Sequence, residues 1–175
     1  MNSTQHSSRK TDKPQKYTIR QPFTAAVPVY TKSTLPNGVR ILTEEVPHVQ
    51  SFALGIWVNT GSRDESVAQQ GIAHFIEHLV FRGTAKRSAR QIANYLESVG
   101  GYVNAFTTKE HTCFYVRALS QHFNKICALL AETVLHPLFR PQDVEKERAI
   151  ILEEMKSYDD EPEEVIFDYL DTIAF

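Results

Sequence analysis

Cysteine is scarce in this chain. Cys113 and Cys127 are the only two, they are not spaced as CxxC, and two thiols do not make a disulfide framework. Both are expected to be buried and reduced. Charge of one sign is lacking too: the 175 residues sum to a net −2, so nothing global points to a nucleic-acid partner or a membrane surface. No apolar run approaches the roughly 20 residues that a membrane-spanning helix needs. There is no internal repeat. What remains is ordinary for a folded domain, with 42% hydrophobic residues in a length that suffices for one core.

The first residues stand apart. Residues 1–20 are rich in Ser, Thr and Gln and carry five basic side chains (Arg9, Lys10, Lys13, Lys16, Arg20) against the single acid Asp12. No apolar segment follows, so a secretory signal is not expected. A basic, Ser-rich, acid-poor leader suits an organelle transit peptide, but apolar residues are nearly absent and Pro14 interrupts any amphipathic helix. Residues 1–27 are therefore read as a disordered basic tail.

Beyond the tail the pattern is strands, two helices, strands, then helices. Two extended runs flank Leu35-Pro36-Asn37-Gly38, and Asn-Gly between β-formers is a hairpin signal. Ser51 to Asn59 is strongly apolar and is expected to be a central strand. Ser88 is a suitable cap for a helix from Ala89 to Val99, which Gly100-Gly101 ends. Tyr102–Thr107 and Thr112–Arg117 read as two more strands. Helices follow from Ser120 to His136, from Gln142 to Tyr158 with Pro141 in the first turn, and from about Pro162 to Ala174. This order predicts an α+β domain, an antiparallel sheet packed with helices, over residues 28–175. The chain stops at Phe175 inside a predicted helix, so the domain is expected to be incomplete at its carboxyl end.

The segment Gly71–Phe81 reads as a helix with apolar residues on almost every side, and so as a buried one. His74 and His78 are one turn apart and leave the same face, with Glu77 on an adjoining part of it. Two imidazoles so placed can hold two corners of a tetrahedral zinc site, and a free carboxylate beside them can take a proton from water. The order His-x-x-Glu-His reverses the commoner His-Glu-x-x-His and is the inverzincin signature. Alone, it does not separate a zinc site from a buried helix whose histidines are satisfied by ordinary hydrogen bonds.

A third ligand must come from elsewhere. The helix Gln142–Tyr158 carries Glu147 and Glu154 seven apart, nearly coincident on the helical wheel, with Ile150 and Ile151 on the same side and Glu145 and Glu153 pointing away. Stacked carboxylates in an apolar stripe are costly unless compensated. A metal ion would compensate them, and so would pairing with Arg or Lys.

His74-Phe75-Ile76-Glu77-His78, with Glu154 following His78 by 76 residues and Glu147 seven before Glu154, resembles the pitrilysin/insulinase (M16) family of zinc peptidases. Leu35-Pro36-Asn37-Gly38, Gly61-Ser62-Arg63-Asp64-Glu65, Phe81-Arg82-Gly83-Thr84 and Gly101-Tyr102-Val103-Asn104-Ala105 fit as well, in the style of the processing-peptidase branch. The resemblance covers residue 28 onward. It implies a zinc metalloendopeptidase with one zinc ion per chain on His74, His78 and Glu154, Glu77 as general base, and Glu147 as a supporting carboxylate that orients a histidine.

It also implies that the edge strand Asn104-Ala105-Phe106-Thr107 pairs with an extended peptide or unfolded, presequence-like substrate, through Asn104, Ala105 and Phe106. An ordinary edge strand with no peptide partner is the other reading. Glu164 and Asp168 match an acidic pair that holds an arginine near the cleaved bond. They lie in the strongly acidic stretch 141–165, ten acids against three bases, which can equally be a solvated helix face. The family builds its peptidase from four related α/β domains, of which this chain matches most of the first. A second half or subunit is therefore the expected partner, and the chain alone can hold zinc yet cleave poorly. The alternatives are a structural subunit of the same fold, which usually loses the zinc motif kept whole here, or a zinc- or peptide-binding module without turnover. The cytoplasm is the expected location, with the mitochondrial matrix as the alternative.

Overall fold

A computed structural model describes residues 29–159 and 162–174. The tail assigned to residues 1–27 lies outside them. The chain divides into two compact units, Met1–Val46 and Pro47–Phe175. In the first, β1 (Val29–Thr34) and β2 (Arg40–Glu45) form an antiparallel hairpin, in register from Val29 opposite Glu45 to Thr34 opposite Arg40. The Asn-Gly signal marks its turn. Gly38 adopts φ 87°, which an L side chain resists, and Asn37 Oδ1 accepts from the Val39 N–H at 3.2 Å.

The second unit contains β3 (Ser51–Val58), α1 (Ile72–Val80), α2 (Ala89–Ser98), β4 (Tyr102–Thr107), β5 (Thr112–Leu119), α3 (Phe123–Leu135), α4 (Pro141–Asp159) and α5 (Pro162–Ala174). The three strands form one antiparallel sheet in the order β3-β5-β4. Ser51–Val58 is thus an edge strand among the described residues, not the central one its apolar run suggests. The run is used on one face only: Phe52, Leu54 and Ile56 pack on the core while Trp57 stays 63% exposed. The central strand is β5, which buries Phe114, Val116 and Ala118 against Ile92 and Leu96 of α2 and Ile126, Leu129 and Leu130 of α3. Ser88 caps α2 as expected, its Oγ accepting from the Gln91 N–H.

The helix α1 is less buried than its composition suggests. Of its nine residues only Ala73, Leu79 and Val80 are buried. It packs on the sheet through one stripe. Ile72 and Ile76 instead line an open apolar cavity of about 540 Å³ together with Val58, Phe114, Val134 and Phe139. Cys113 is buried, and burial pushes its thiol up, which keeps it protonated; Cys127 is only half-buried, short of the burial expected for it.

The loop from α1 to α2 is tied to α3 by a small polar cluster. Thr84 Oγ1 donates to Glu132 Oε1 at 2.6 Å and accepts from the backbone N–H groups of Lys86 and Arg87, while the Arg87 guanidinium pairs with Glu132 Oε2. The Thr84 hydroxyl, followed by Arg87, holds the Glu132 carboxyl below its ordinary value of 4.5. A carboxyl so lowered stabilises the fold at pH above that ordinary value and loses the contribution as pH falls through its folded value. Glu132→Gln is therefore expected to melt below the parent at neutral pH, with the gap closing in acid. A gap that persists unchanged into strong acid would refute this role.

Candidate metal centre

Helix α1 starts without a side-chain cap of its own: the N-cap is Gly71, at φ 86°. Glu65 serves instead, its Oε2 accepting from the Gly71 N–H at 2.7 Å and its Oε1 from the Ala73 N–H at 2.8 Å. A carboxylate at a helix N-terminus satisfies orphan donors and complements the dipole. The segment before it is locked to the β4–β5 turn. Ser62 and Arg63 N–H groups donate to the carbonyls of Thr108 and Lys109, and a Cβ at Gly61 would lie 2.3 Å from the Thr108 carbonyl oxygen. The start of α1 is thus fixed at the end of β4.

His74 and His78 project from one face of α1 with their rings nearly perpendicular and their Nε2 atoms 3.2 Å apart. Helix α4 lies against this face. Its two in-phase carboxylates take the two nitrogens of one ring. Glu147 Oε2 meets His78 Nδ1 at 3.1 Å, and Glu154 Oε2 lies 3.4 Å from His78 Nε2 and 3.8 Å from His74 Nε2. Glu145 and Glu153 are exposed on other sides, as their phase predicts. The apolar stripe expected around Glu147 and Glu154 is weak, since Ile150 is 41% exposed. What compensates Glu147 is a cation: the carboxylate is 1% exposed, and its Oε1 pairs with the guanidinium of Arg82.

These residues fit a divalent ion. A carboxylate can only accept, so Glu147 assigns the His78 proton to Nδ1 and leaves Nε2 a lone pair. His78 Nε2, His74 Nε2 and Glu154 Oε2 then converge on one point. Their separations of 3.2, 3.4 and 3.8 Å bracket the roughly 3.3–3.4 Å edge of a tetrahedron with 2.0–2.1 Å metal bonds. Among the described residues this is the group of His, Cys, Asp and Glu side chains able to hold a metal. Three protein donors is the number found in catalytic rather than structural zinc sites.

Glu77 is half-buried beside the pair, and its Oε2 accepts from Thr107 Oγ1 at 2.6 Å. Strand β4 is an edge strand among the described residues. Asn104 and Phe106 are exposed on it, whereas the Ala105 side chain is buried in the core, so only its backbone is open to a partner strand. The Ala105 N–H donates to Asn104 Oδ1 at 2.9 Å. Glu164 and Asp168 fall within α5, but their side chains lie outside the described residues. Sequence reasoning missed Arg82, Glu65 and Thr107 as parts of this site. Each sat inside a recognised motif stretch, but pairing with residues 65, 6 and 30 positions away leaves no local periodicity to detect.

The profile of the family described as Insulinase (Peptidase family M16) matches residues 40–175. The chain belongs to the M16 peptidase family. Among its relatives, this M16 chain is 43% identical over 142 residues to an uncharacterized zinc protease of Bacillus subtilis, covering 81% of the chain and 35% of the relative. It is 37% identical over 143 residues to the Arabidopsis thaliana protein described as "Probable mitochondrial-processing peptidase subunit beta, mitochondrial", covering 82% and 27%. The crystal structure of a protease from Helicobacter pylori superposes with a TM-score of 0.75 at 25% identity, covering 81% of this chain and 34% of that one. The M16 chain thus spans about a third of the length of these relatives. None of its described helices is long and apolar enough to cross a membrane.

Proposed function

We propose that this chain carries the metal centre of a zinc-dependent endopeptidase that hydrolyses peptide bonds in extended peptides or unfolded, presequence-like segments. The observation that carries the reading is the convergence of His74 Nε2, His78 Nε2 and Glu154 Oε2 beside a carboxylate, Glu77, that is not one of the three. Zinc bound there would supply Lewis acidity for the hydrolysis. His74, His78 and Glu154 would hold it, with Glu147 holding His78 in the ligating tautomer. Glu77 takes a proton from the attacking water and hands it to the leaving amine. The open edge of β4, at Asn104 to Phe106, receives the substrate backbone as an added strand. Since the chain spans about a third of its relatives' length, a second M16 half or subunit is the proposed partner that completes the substrate chamber.

Elemental analysis and a peptide-cleavage assay test this together. One zinc ion per chain is expected, with cleavage of an unstructured peptide by the full-length protein lost on chelation and restored by zinc. Glu154→Gln is expected to lose the ion. Cleavage that survives complete removal of zinc would overturn the reading.

A further inference from the structure

We infer that Thr107 is a positioning residue for Glu77: its hydroxyl fixes one oxygen of the carboxylate so that the other is presented as the proton acceptor. This rests on the peptidase reading above. The contact is a 2.6 Å O–H···O bond to a carboxylate, in the short range of charge-assisted bonds. Glu77 Oε1 makes no hydrogen bond among the described residues, so the two oxygens are differentiated, one tethered and one open.

The tether is itself anchored. Thr107 is the last residue of β4 and pairs with Thr112 on the central strand, whose hydroxyl donates to the Thr60 carbonyl at 3.0 Å. The next residue, Thr108, is held on both sides of the turn, its N–H donating to the His111 carbonyl at 2.8 Å and its carbonyl accepting from Ser62 N–H at 3.1 Å. A β-branched residue in such a strand has few rotamers, whereas a glutamate has three side-chain torsions to restrain. The bond therefore transfers the rigidity of the sheet to the one side chain of the site that must move a proton. It also joins the base to the strand whose open edge would hold the peptide, so both are set in one frame.

Small displacements of a reacting group cost up to about a hundredfold in rate. Thr107→Val keeps the shape and removes the O–H. In the full-length zinc-loaded protein it is expected to lower kcat about tenfold to a hundredfold with KM and zinc content nearly unchanged. Thr107→Ser, which restores the hydroxyl, is expected to recover most of the loss. A merely structural tie would lower the melting midpoint without splitting kcat from KM.

A readout independent of turnover is the thermal cycle of Thr107→Val, Glu77→Ala and the double variant. The double variant is expected to melt higher than the sum of the single shifts requires, because the second change removes a bond already lost. Additive shifts, or wild-type kcat in Thr107→Val, would overturn the role of Thr107 while leaving the peptidase reading intact. A wild-type protein that holds zinc and cleaves nothing would instead overturn that reading, and this role with it.

Discussion

Glu77→Gln is expected to keep one zinc ion per chain and to lose cleavage by about 10²–10⁴-fold, the contribution of a positioned proton acceptor. The amide is nearly isosteric with the carboxylate and can still accept from the Thr107 hydroxyl. It cannot take a proton from water. Glu77 is also not among the three side chains whose donor atoms converge. Metal and rate should therefore separate in this variant, whereas a ligand substitution loses both. Loss of zinc in Glu77→Gln would assign the residue to the metal, and undiminished cleavage would assign the proton transfer to another group. Parallel metal analysis and initial rates decide the matter on one preparation.

The second large effect is expected just beyond α1, at Arg82→Met. Its partner Glu147 is 1% exposed, while the Arg82 side chain is 38% exposed. The two ends of this pair are thus not equivalent. Removing the carboxylate leaves a guanidinium that can reach water; removing the guanidinium leaves a charge buried without its cation. Breaking a buried pair in that sense costs about 3–5 kcal/mol. Because Glu147 also orients His78, zinc affinity should fall about 10–100-fold as well. Glu147→Gln alone should cost less, since the amide oxygen still accepts from His78 Nδ1–H. Adding it to Arg82→Met should recover part of the lost stability. Urea denaturation of the four proteins measures the asymmetry, and an Arg82→Met variant as stable as its parent would refute it.

The elements of the fold were largely readable because each has a local cause. Ser88 with Gln91, Asn37-Gly38 and Gly100 mark boundaries through chemistry that acts within three or four residues. Helix phase likewise placed Glu147 and Glu154 on one stripe and Glu145 and Glu153 off it. What failed was the inference from composition to depth. Ser51–Val58 and the α1 segment are both strongly apolar, yet Trp57, Ile72 and Ile76 remain exposed, because burial depends on which neighbours arrive and not on the segment itself. The candidate metal-holding group His74, His78 and Glu154 was legible through spacing matched to a family. Its supports were not: Arg82, Glu65 and Thr107 act across distances that only the folded chain closes.

The way α4 meets α1 also sets an order of events during synthesis. The two imidazoles leave the ribosome 80 and 76 residues ahead of the Glu154 carboxylate. Until the later helix docks, the nascent chain offers a pair of histidines and no third donor, and a two-point site holds zinc poorly. Metal capture at this group would thereby be a late step of maturation, coupled to folding. On the proposed peptidase reading, a half-made chain would carry no working hydrolytic centre among unfolded polypeptides, the material proposed as its substrate.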